Sequence, residues 1–151
     1  MFRFFVLPGA VAALSLAALA PSTARADFSA CEGAYQANDP HQQIDLYTNC
    51  LKHGGLMRTD VAGAFNNRGI AHERLGEIDL ALQDFISATQ YDPNWPQFRI
   101  NRASVEARLG QCAAAQADMD AVLKMAPRNK AYAERRAQIQ MTCPILSKPA
   151  G

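Results

Sequence analysis

The sequence predicts an all-α protein, a right-handed α-solenoid of about three antiparallel helix pairs followed by a C-terminal capping helix. The first observation behind this prediction is an internal period of 34 residues. The second is that glycine and proline recur at fixed places within that period, where they can end helices. The residues that match one period apart are Asn67–Gly69 with Asn101–Ala103, Arg74–Gly76 with Arg108–Gly110, Ala81 with Ala115, Asp84-Phe85 with Asp118-Met119, Ala88 with Val122, and Pro93 with Pro127.

Each period carries the signals of two helices. Gly76 and Gly110 can end the first helix in a left-handed or extended conformation, and Pro93 and Pro127 can stop the second. Gly69 is small enough to let the two antiparallel helices approach closely. One helix pair cannot bury its own apolar side chains, so neighbouring pairs must stack. These apolar side chains are Phe65, Phe85 and Ala88.

The repeat resembles that of the tetratricopeptide (TPR) family, in an exported bacterial form. If Ala62 is the first residue of a repeat, the family's key places hold Phe65, Gly69, Ala81, Phe85, Ala88 and Pro93. The resemblance implies one repeat over residues 62–95 and a weaker one over residues 96–129. It departs from the family pattern where arginine replaces leucine or tryptophan, and where other residues replace tyrosine. These departures are Arg68, Arg99, His72 and Glu106.

The remaining chain fits around these two repeats. Residues 27–61 are predicted to form a degenerate helix pair, with helices over Phe28–Ala37 and His41–Lys52 and a longer loop from His53 to Asp60. Residues 130–143 are predicted to form the polar capping helix, and residues 144–151 a tail.

Residues 1–26 have the three parts of a cleaved signal peptide. Arg3 precedes an uncharged apolar run, and cleavage after Ala26 would leave Asp27 as the first residue. An uncleaved membrane anchor and a lipoprotein signal at Cys31 are the alternatives. Cleavage removes two of 15 basic residues and leaves 13 against 14 acidic ones, so no global attraction to nucleic acid or anionic membrane is expected. The resemblance of the signal peptide and the repeat to those of exported bacterial proteins implies the periplasm of a Gram-negative bacterium.

Four cysteines remain after cleavage, an even number that favours disulfides in an oxidising compartment. The helical arrangement favours two bonds, Cys31–Cys50 and Cys112–Cys143, because each pair lies symmetrically about a predicted turn. Free buried thiols are the alternative. The cysteines and the three histidines are scattered, so neither a metal site nor any other cofactor is expected.

No catalytic motif is present in the sequence. His72-Glu73 begins like a zinc-binding helix motif, but Gly76 stands in the place of the second histidine ligand. We therefore expect a protein that is not an enzyme.

The resemblance implies a concave groove lined by the first helix of each repeat. TPR domains that hold extended peptides use asparagine at the sixth place of this helix, where this sequence has Asn67, Asn101 and Arg135. Arg74 and Arg108 follow two turns later and can fork onto a carboxylate. Four neighbouring residues would set side-chain preference. They are Ile70, Glu73, Ile100 and Ser104.

The predicted function is that of a non-catalytic adaptor or scaffold. It would hold an extended segment of another exported or membrane protein, with an acidic group or a free C-terminus. In one alternative, the asparagines only solvate the concave face or bond along their helices. In a second, the chain is a self-associating structural module whose groove is empty, and an unrecognised enzyme ranks last. A monomer or weak homo-oligomer is expected.

Several other side chains are assigned to structure. Arg68 and Arg102 should pair with Asp84 and Asp118 across their hairpins, because both pairs recur one period apart. Arg136 holds the same place without a following helix, so it should be free for solvent or a partner. Tyr91 and Trp95 should lie in the core at the junction between repeats.

Overall fold

A computed structural model describes residues 28–53 and 55–143, and the predicted signal peptide, its cleavage site and the tail lie outside these residues. The described residues form only helices and the turns that join these helices. The helices are α1 (Phe28–Gln36), α2 (Pro40–His53), α3 (Arg58–Arg74), α4 (Ile78–Tyr91), α5 (Pro96–Arg108), α6 (Cys112–Met125) and α7 (Lys130–Thr142).

Each helix packs antiparallel against the next, and α7 also packs against α5. The core is therefore a row of small clusters between successive helices. Phe85 and Val105 are fully buried in one cluster, and Met119 and Val122 in another with Ile139 of α7. No pair buries its apolar face alone, so the predicted all-α solenoid is confirmed.

The turns inside the helix pairs depend on glycine. Gly76 and Gly110 have φ values of +76° and +74°, the left-handed one of the two conformations that the sequence left open. The N–H groups of Glu77 and Gln111 donate to the carbonyls of His72 and Glu106 at 3.0 and 2.8 Å. These bonds satisfy carbonyls that the ends of α3 and α5 would otherwise leave unpaired.

The predicted loop His53–Asp60 is shorter in the structure, since α2 includes His53 and α3 begins at Arg58. The side chain of Arg58 donates to the carbonyls of Tyr91 and Gln90 at 2.8 and 3.0 Å. This anchor holds the first turn of α3 against the end of α4.

Both cysteine pairs are bonded within the described residues, and they are the pairs that the helical arrangement favours. Cys31 is joined to Cys50 across α1 and α2, with their Cα atoms 5.3 Å apart. Cys112, the first residue of α6, is joined to Cys143, the residue that follows α7, with Cα atoms 5.6 Å apart. The bonds staple the two ends of the array, where a short solenoid has neighbours on one side only.

The predicted ion pairs inside the hairpins are confirmed. Arg68 donates two hydrogen bonds to Asp84 at 2.8 and 2.6 Å, and Arg102 donates two to Asp118, both at 2.6 Å. Both carboxylates are buried, and Asp118 also accepts from Arg99 at 2.9 Å. A bidentate pair of this kind satisfies a carboxylate that burial would otherwise penalise.

Two predictions were wrong, one for Arg136 and one for the aromatic residues Tyr91 and Trp95. Arg136 is not free, because α7 lies against α6 and brings its guanidinium 2.9 Å from Asp120. Trp95 is not in the core, since 56% of it is exposed where it precedes α5 at the edge of the array. Tyr91 is also partly exposed, although its ring stacks on Phe65 at a centroid distance of 5.7 Å.

Gly69 sets how closely α3 and α4 can pack. A Cβ atom there would lie 2.8 Å from the ring of Phe85, which is fully buried and has no room to move. We expect Gly69→Ala to lower the free energy of unfolding by about 1–3 kcal/mol, although alanine favours a helix. Gly63→Ala lies in the same helix, and no atom outside the local backbone of that helix lies within 4 Å of the added carbon, so it should leave stability unchanged or raise it. Equal effects of the two changes on urea unfolding would contradict this account of the packing.

Glu106 is the buried carboxyl that has the poorest set of partners. Its Oε1 lies 3.6 Å from Nε of Arg102, and its Oε2 is buried without a hydrogen bond. Burial, aided by the nearby charge of Asp118, raises the pKa of Glu106, and Arg102 only partly opposes this. The folded protein therefore holds this proton to a higher pH than the unfolded chain does.

This difference predicts a pH dependence of stability. The contribution of protonated Glu106 is present below the ordinary carboxyl pKa and is lost as pH rises through the raised pKa. In Glu106→Gln that loss should disappear. As pH rises, the free energy of unfolding of the wild type should therefore fall relative to that of Glu106→Gln, by about 1.4 kcal/mol for each pH unit by which folding raises the pKa of Glu106. Urea unfolding across weakly acidic to neutral pH measures the effect, with the exposed Glu134→Gln as control. Parallel curves for wild type and Glu106→Gln would show that the carboxyl is not desolvated.

Candidate functional site

The residues predicted to form a groove lie on one face of the array. Asn67, Asn101 and Arg135 stand one period apart on α3, α5 and α7, and the first two are half-buried while Arg135 is exposed. Since these three helices occupy equivalent places in successive units, the side chains form a row across the concave face.

The two asparagines belong to a continuous chain of hydrogen-bonded side chains, which we call the amide chain. Asn67 donates to the hydroxyl of Tyr47 at 3.1 Å and accepts from Asn66 at 3.2 Å. Asn66 in turn accepts from Asn101 at 2.8 Å, and Asn101 accepts from Gln97 at 2.8 Å. The amide chain thus links α2, α3 and α5.

The amide chain leaves hydrogen-bonding capacity unused. Each asparagine side chain has two N–H hydrogens, and Asn67 and Asn101 each use one of them within the chain. Burial raises the pKa of Tyr47, although the hydrogen bond from Asn67 lowers it somewhat, so the phenol is protonated at neutral pH. Its own O–H hydrogen is therefore available in addition to the bond that its oxygen accepts.

The arginines of the groove each reach back toward the preceding unit. Arg108 forms an ion pair with Glu73 at 2.8 Å. Arg74 donates to the side chain of Gln43 and to the carbonyl of Asn38, at 2.9 and 3.0 Å. Arg135 donates to the neutral side chains of Ser104 and Gln138, at 3.0 and 3.2 Å. The hydrogen-bond partners of Arg74 and Arg135 are thus all uncharged.

The structure brings the predicted groove residues together with one exception. Ile100 was expected to contact a ligand but is 5% exposed, because it packs in the core against Ala103 and Met119. Ile70 is 38% exposed and can contact a ligand. The hydroxyl of Ser104 donates to the carbonyl of Ile100 and accepts from Arg135, so it positions that guanidinium.

A cavity of about 310 Å³ opens beside the amide chain, between α1, α2 and α3. Tyr35 on its rim is 77% exposed, and Tyr47 and Asn67 form part of its wall. Four residues of the cavity and the amide chain were not predicted from the sequence as parts of the site. They are Tyr35, Tyr47, Asn66 and Gln97.

A second cavity, of about 350 Å³, lies between α6 and α7 beside the Cys112–Cys143 bond. Asp120 and Arg136, which are paired with each other, line it. Within residues 28–53 and 55–143, no group of three or more histidine, cysteine, aspartate or glutamate side chains is placed to hold a metal ion. No helix in this part of the chain is both long enough and apolar enough to cross a bilayer.

No protein-family model and no curated protein matches the sequence. Solved structures do match the fold. The second TPR domain of human RPAP3, determined by NMR with an HSP70 peptide, has a TM-score of 0.63 and 21% sequence identity, and the match covers 77% of this chain and 92% of that one. The TPR2B domain of yeast Sti1, in a complex with pHsp70, has a TM-score of 0.62 and 22% identity over 80% and 94% of the two chains.

A bacterial structure is similar to the same extent. The type III secretion chaperone SycD of Yersinia enterocolitica, solved with a peptide of the translocator YopD, has a TM-score of 0.60 and 14% identity. The match covers 79% of this chain and 88% of SycD. At these identities the likeness shows the fold, so the chain is an all-α solenoid of the TPR type.

The amide chain makes a testable contribution to stability. Asn66 is buried, and its side chain accepts the hydrogen bond from Asn101 that links α3 to α5. Asn66→Ala should therefore lower the free energy of unfolding by about 1 kcal/mol. A double-mutant cycle with Asn101→Ala, measured by urea unfolding, should show coupling because the two changes remove the same bond. Gln138→Ala, outside the amide chain, should show no coupling with Asn66→Ala. Additive effects of Asn66→Ala and Asn101→Ala would mean that the bond does not form in solution.

Proposed function

We propose that this protein is a non-catalytic interaction module that holds an extended segment of another protein in its concave groove. The observation that carries the proposal is the amide chain. Its unused N–H and O–H groups belong to Tyr47 and Asn67, which line the 310 Å³ cavity, and to Asn101 on the next unit, and they can bond to the backbone of an extended segment. The similar domains of RPAP3 and SycD, both solved with peptides, support this reading.

The groove also favours particular features in the segment that it holds. Tyr35 on the cavity rim offers an exposed ring to ligand side chains, and Ile70 of α3, outside the cavity, offers an exposed apolar side chain. Arg74 and Arg135 bond only to uncharged groups, so an acidic side chain or a free C-terminus could take their guanidinium groups as a stronger partner. Glu73, already paired with Arg108, would exclude a second acidic group at that point.

The partner is proposed to be another exported or membrane protein met in the periplasm. This part of the proposal rests on the signal-peptide pattern of residues 1–26 and on an oxidising compartment that would maintain the two disulfides. Determining the N-terminus of the protein purified from the periplasmic fraction tests it, and Asp27 is the expected first residue.

Site-specific crosslinking tests the groove. A photoreactive residue placed at Ile70 on the concave face should capture a partner in cells, and one at Gln83 on the exposed side of α4 should not. The Asn67→Ala, Asn101→Ala, Arg135→Ala triple variant should reduce capture from position 70 at least tenfold while circular dichroism shows an intact fold. The matched control replaces three exposed amides of second helices, Asn49→Ala, Gln83→Ala and Gln90→Ala, and should keep capture at the wild-type level.

Each other result has a definite meaning. Capture from Gln83 but not from Ile70 would move the binding surface to the convex side and refute the groove. Capture only of a second copy of the chain would favour the self-associating structural module.

A further inference from the structure

The near-neutral net charge conceals a strong asymmetry between the two edges of the array. One edge, which we call the connecting edge, consists of the last turns of α2, α4 and α6, the first turns of α3, α5 and α7, and the loops between these helices. It spans residues 50–61, 88–99 and 122–133, apart from Gly54. Because successive helices are antiparallel, all three segments lie on one side of the array. The opposite edge spans residues 33–43, 71–81, 105–115 and 139–142.

The connecting edge is basic and the opposite edge is acidic. The connecting edge holds six basic and two acidic residues, 6 − 2 = +4, whereas the opposite edge holds two basic and five acidic residues, 2 − 5 = −3. Arg99 is neutralised by Asp118, and the other basic residues of the connecting edge are exposed. They are Lys52, Arg58, Lys124, Arg128 and Lys130.

Large apolar side chains are exposed along the same connecting edge. Met57 is 69% exposed and Trp95 is 56% exposed, and each directly precedes a helix. Tyr91 and Met125 are the last residues of α4 and α6 and are also exposed. The guanidinium of Arg58 lies over the ring of Tyr91 at 5.9 Å, so a basic group and an aromatic ring of this edge lie close together.

We infer that the connecting edge binds an anionic membrane surface. Lysine and arginine are drawn to anionic headgroups, while tryptophan and tyrosine have a polar end and an apolar body that suit the interface between headgroups and acyl chains. Exposed Met57 and Met125 would enter that apolar boundary beside them. The edge consists of helix ends and the short loops between them, and a flat, deformable surface can meet all three segments at once.

This inference goes beyond the proposed function and does not depend on it. The concave groove lies between the two edges, so a membrane against the connecting edge would leave the groove open. The acidic opposite edge would be repelled by the same surface, which would give the bound protein one orientation.

Trp95 makes the inference directly measurable because it is the only tryptophan in the chain. The full sequence is expressed, and the protein that accumulates is purified without further processing. It is then mixed with phosphatidylcholine vesicles that contain or lack phosphatidylglycerol. With phosphatidylglycerol the emission of Trp95 should shift to the blue, and lipids brominated on the acyl chains should quench it. Both effects should weaken as salt rises.

Two charge variants identify the surface. Lys124→Gln, Arg128→Gln, Lys130→Gln should weaken vesicle affinity on the order of 100-fold, as expected for three basic residues at a lipid surface. Gln36→Glu, Gln42→Glu, Gln111→Glu, which lowers the net charge by the same three units at exposed positions of the opposite edge outside the groove, should leave vesicle affinity unchanged. Circular dichroism confirms that both variants are folded.

Three results would overturn the inference. The first is an emission of Trp95 that vesicles do not change. The second is binding without quenching by brominated chains, which would mean that the edge recognises negative charge but not a bilayer. The third is an equal loss of affinity in both charge variants, which would mean that the charge of the whole molecule matters and the connecting edge does not.

Discussion

The contact between Gly69 and the ring of Phe85 is the constraint on which the central helix pair depends. A side chain at position 69 would push α4 away from α3, since the Cβ position is already within 2.8 Å of the ring. The close approach also brings Arg68 within 2.6 Å of the buried carboxylate of Asp84. Shape and charge in this hairpin are therefore coupled, because the ion pair needs the separation that glycine permits.

The same arrangement recurs one period later, but with a different balance of charge. There Asp118 accepts from two arginines, and the place of His72 is taken by Glu106. His72 has a carboxylate partner in Glu77 at 2.6 Å, whereas one oxygen of Glu106 has no partner at all. In the second hairpin two guanidinium groups thus satisfy the buried carboxylate of Asp118, while burial raises the pKa of Glu106 and favours its uncharged form.

The sequence was sufficient to predict the helix pairs, because their limits depend on local signals such as Gly76 and on a period that repeats. It was sufficient for the row of Asn67, Asn101 and Arg135 for the same reason. The amide chain could not be predicted, since Tyr47 lies in the first pair, which lacks the period. Asn66 gave no signal because Ile100 occupies the equivalent place and points into the core. Whether Trp95 is covered depends on what lies beyond the edge of the array, which no local pattern records.

The groove and the connecting edge draw on different parts of the same repeat. The groove uses residues in the middle of the first helices, such as Asn67 and Asn101, whose spacing is set by the packing of α3 on α5 through the amide chain. The connecting edge uses helix ends and loops, where substitutions disturb little packing. A solenoid can therefore vary its edge charge without altering its groove, and a chain with near-zero net charge can still carry an oriented electrostatic field. In this protein that separation would let one surface hold a partner segment while another sets the position of the molecule.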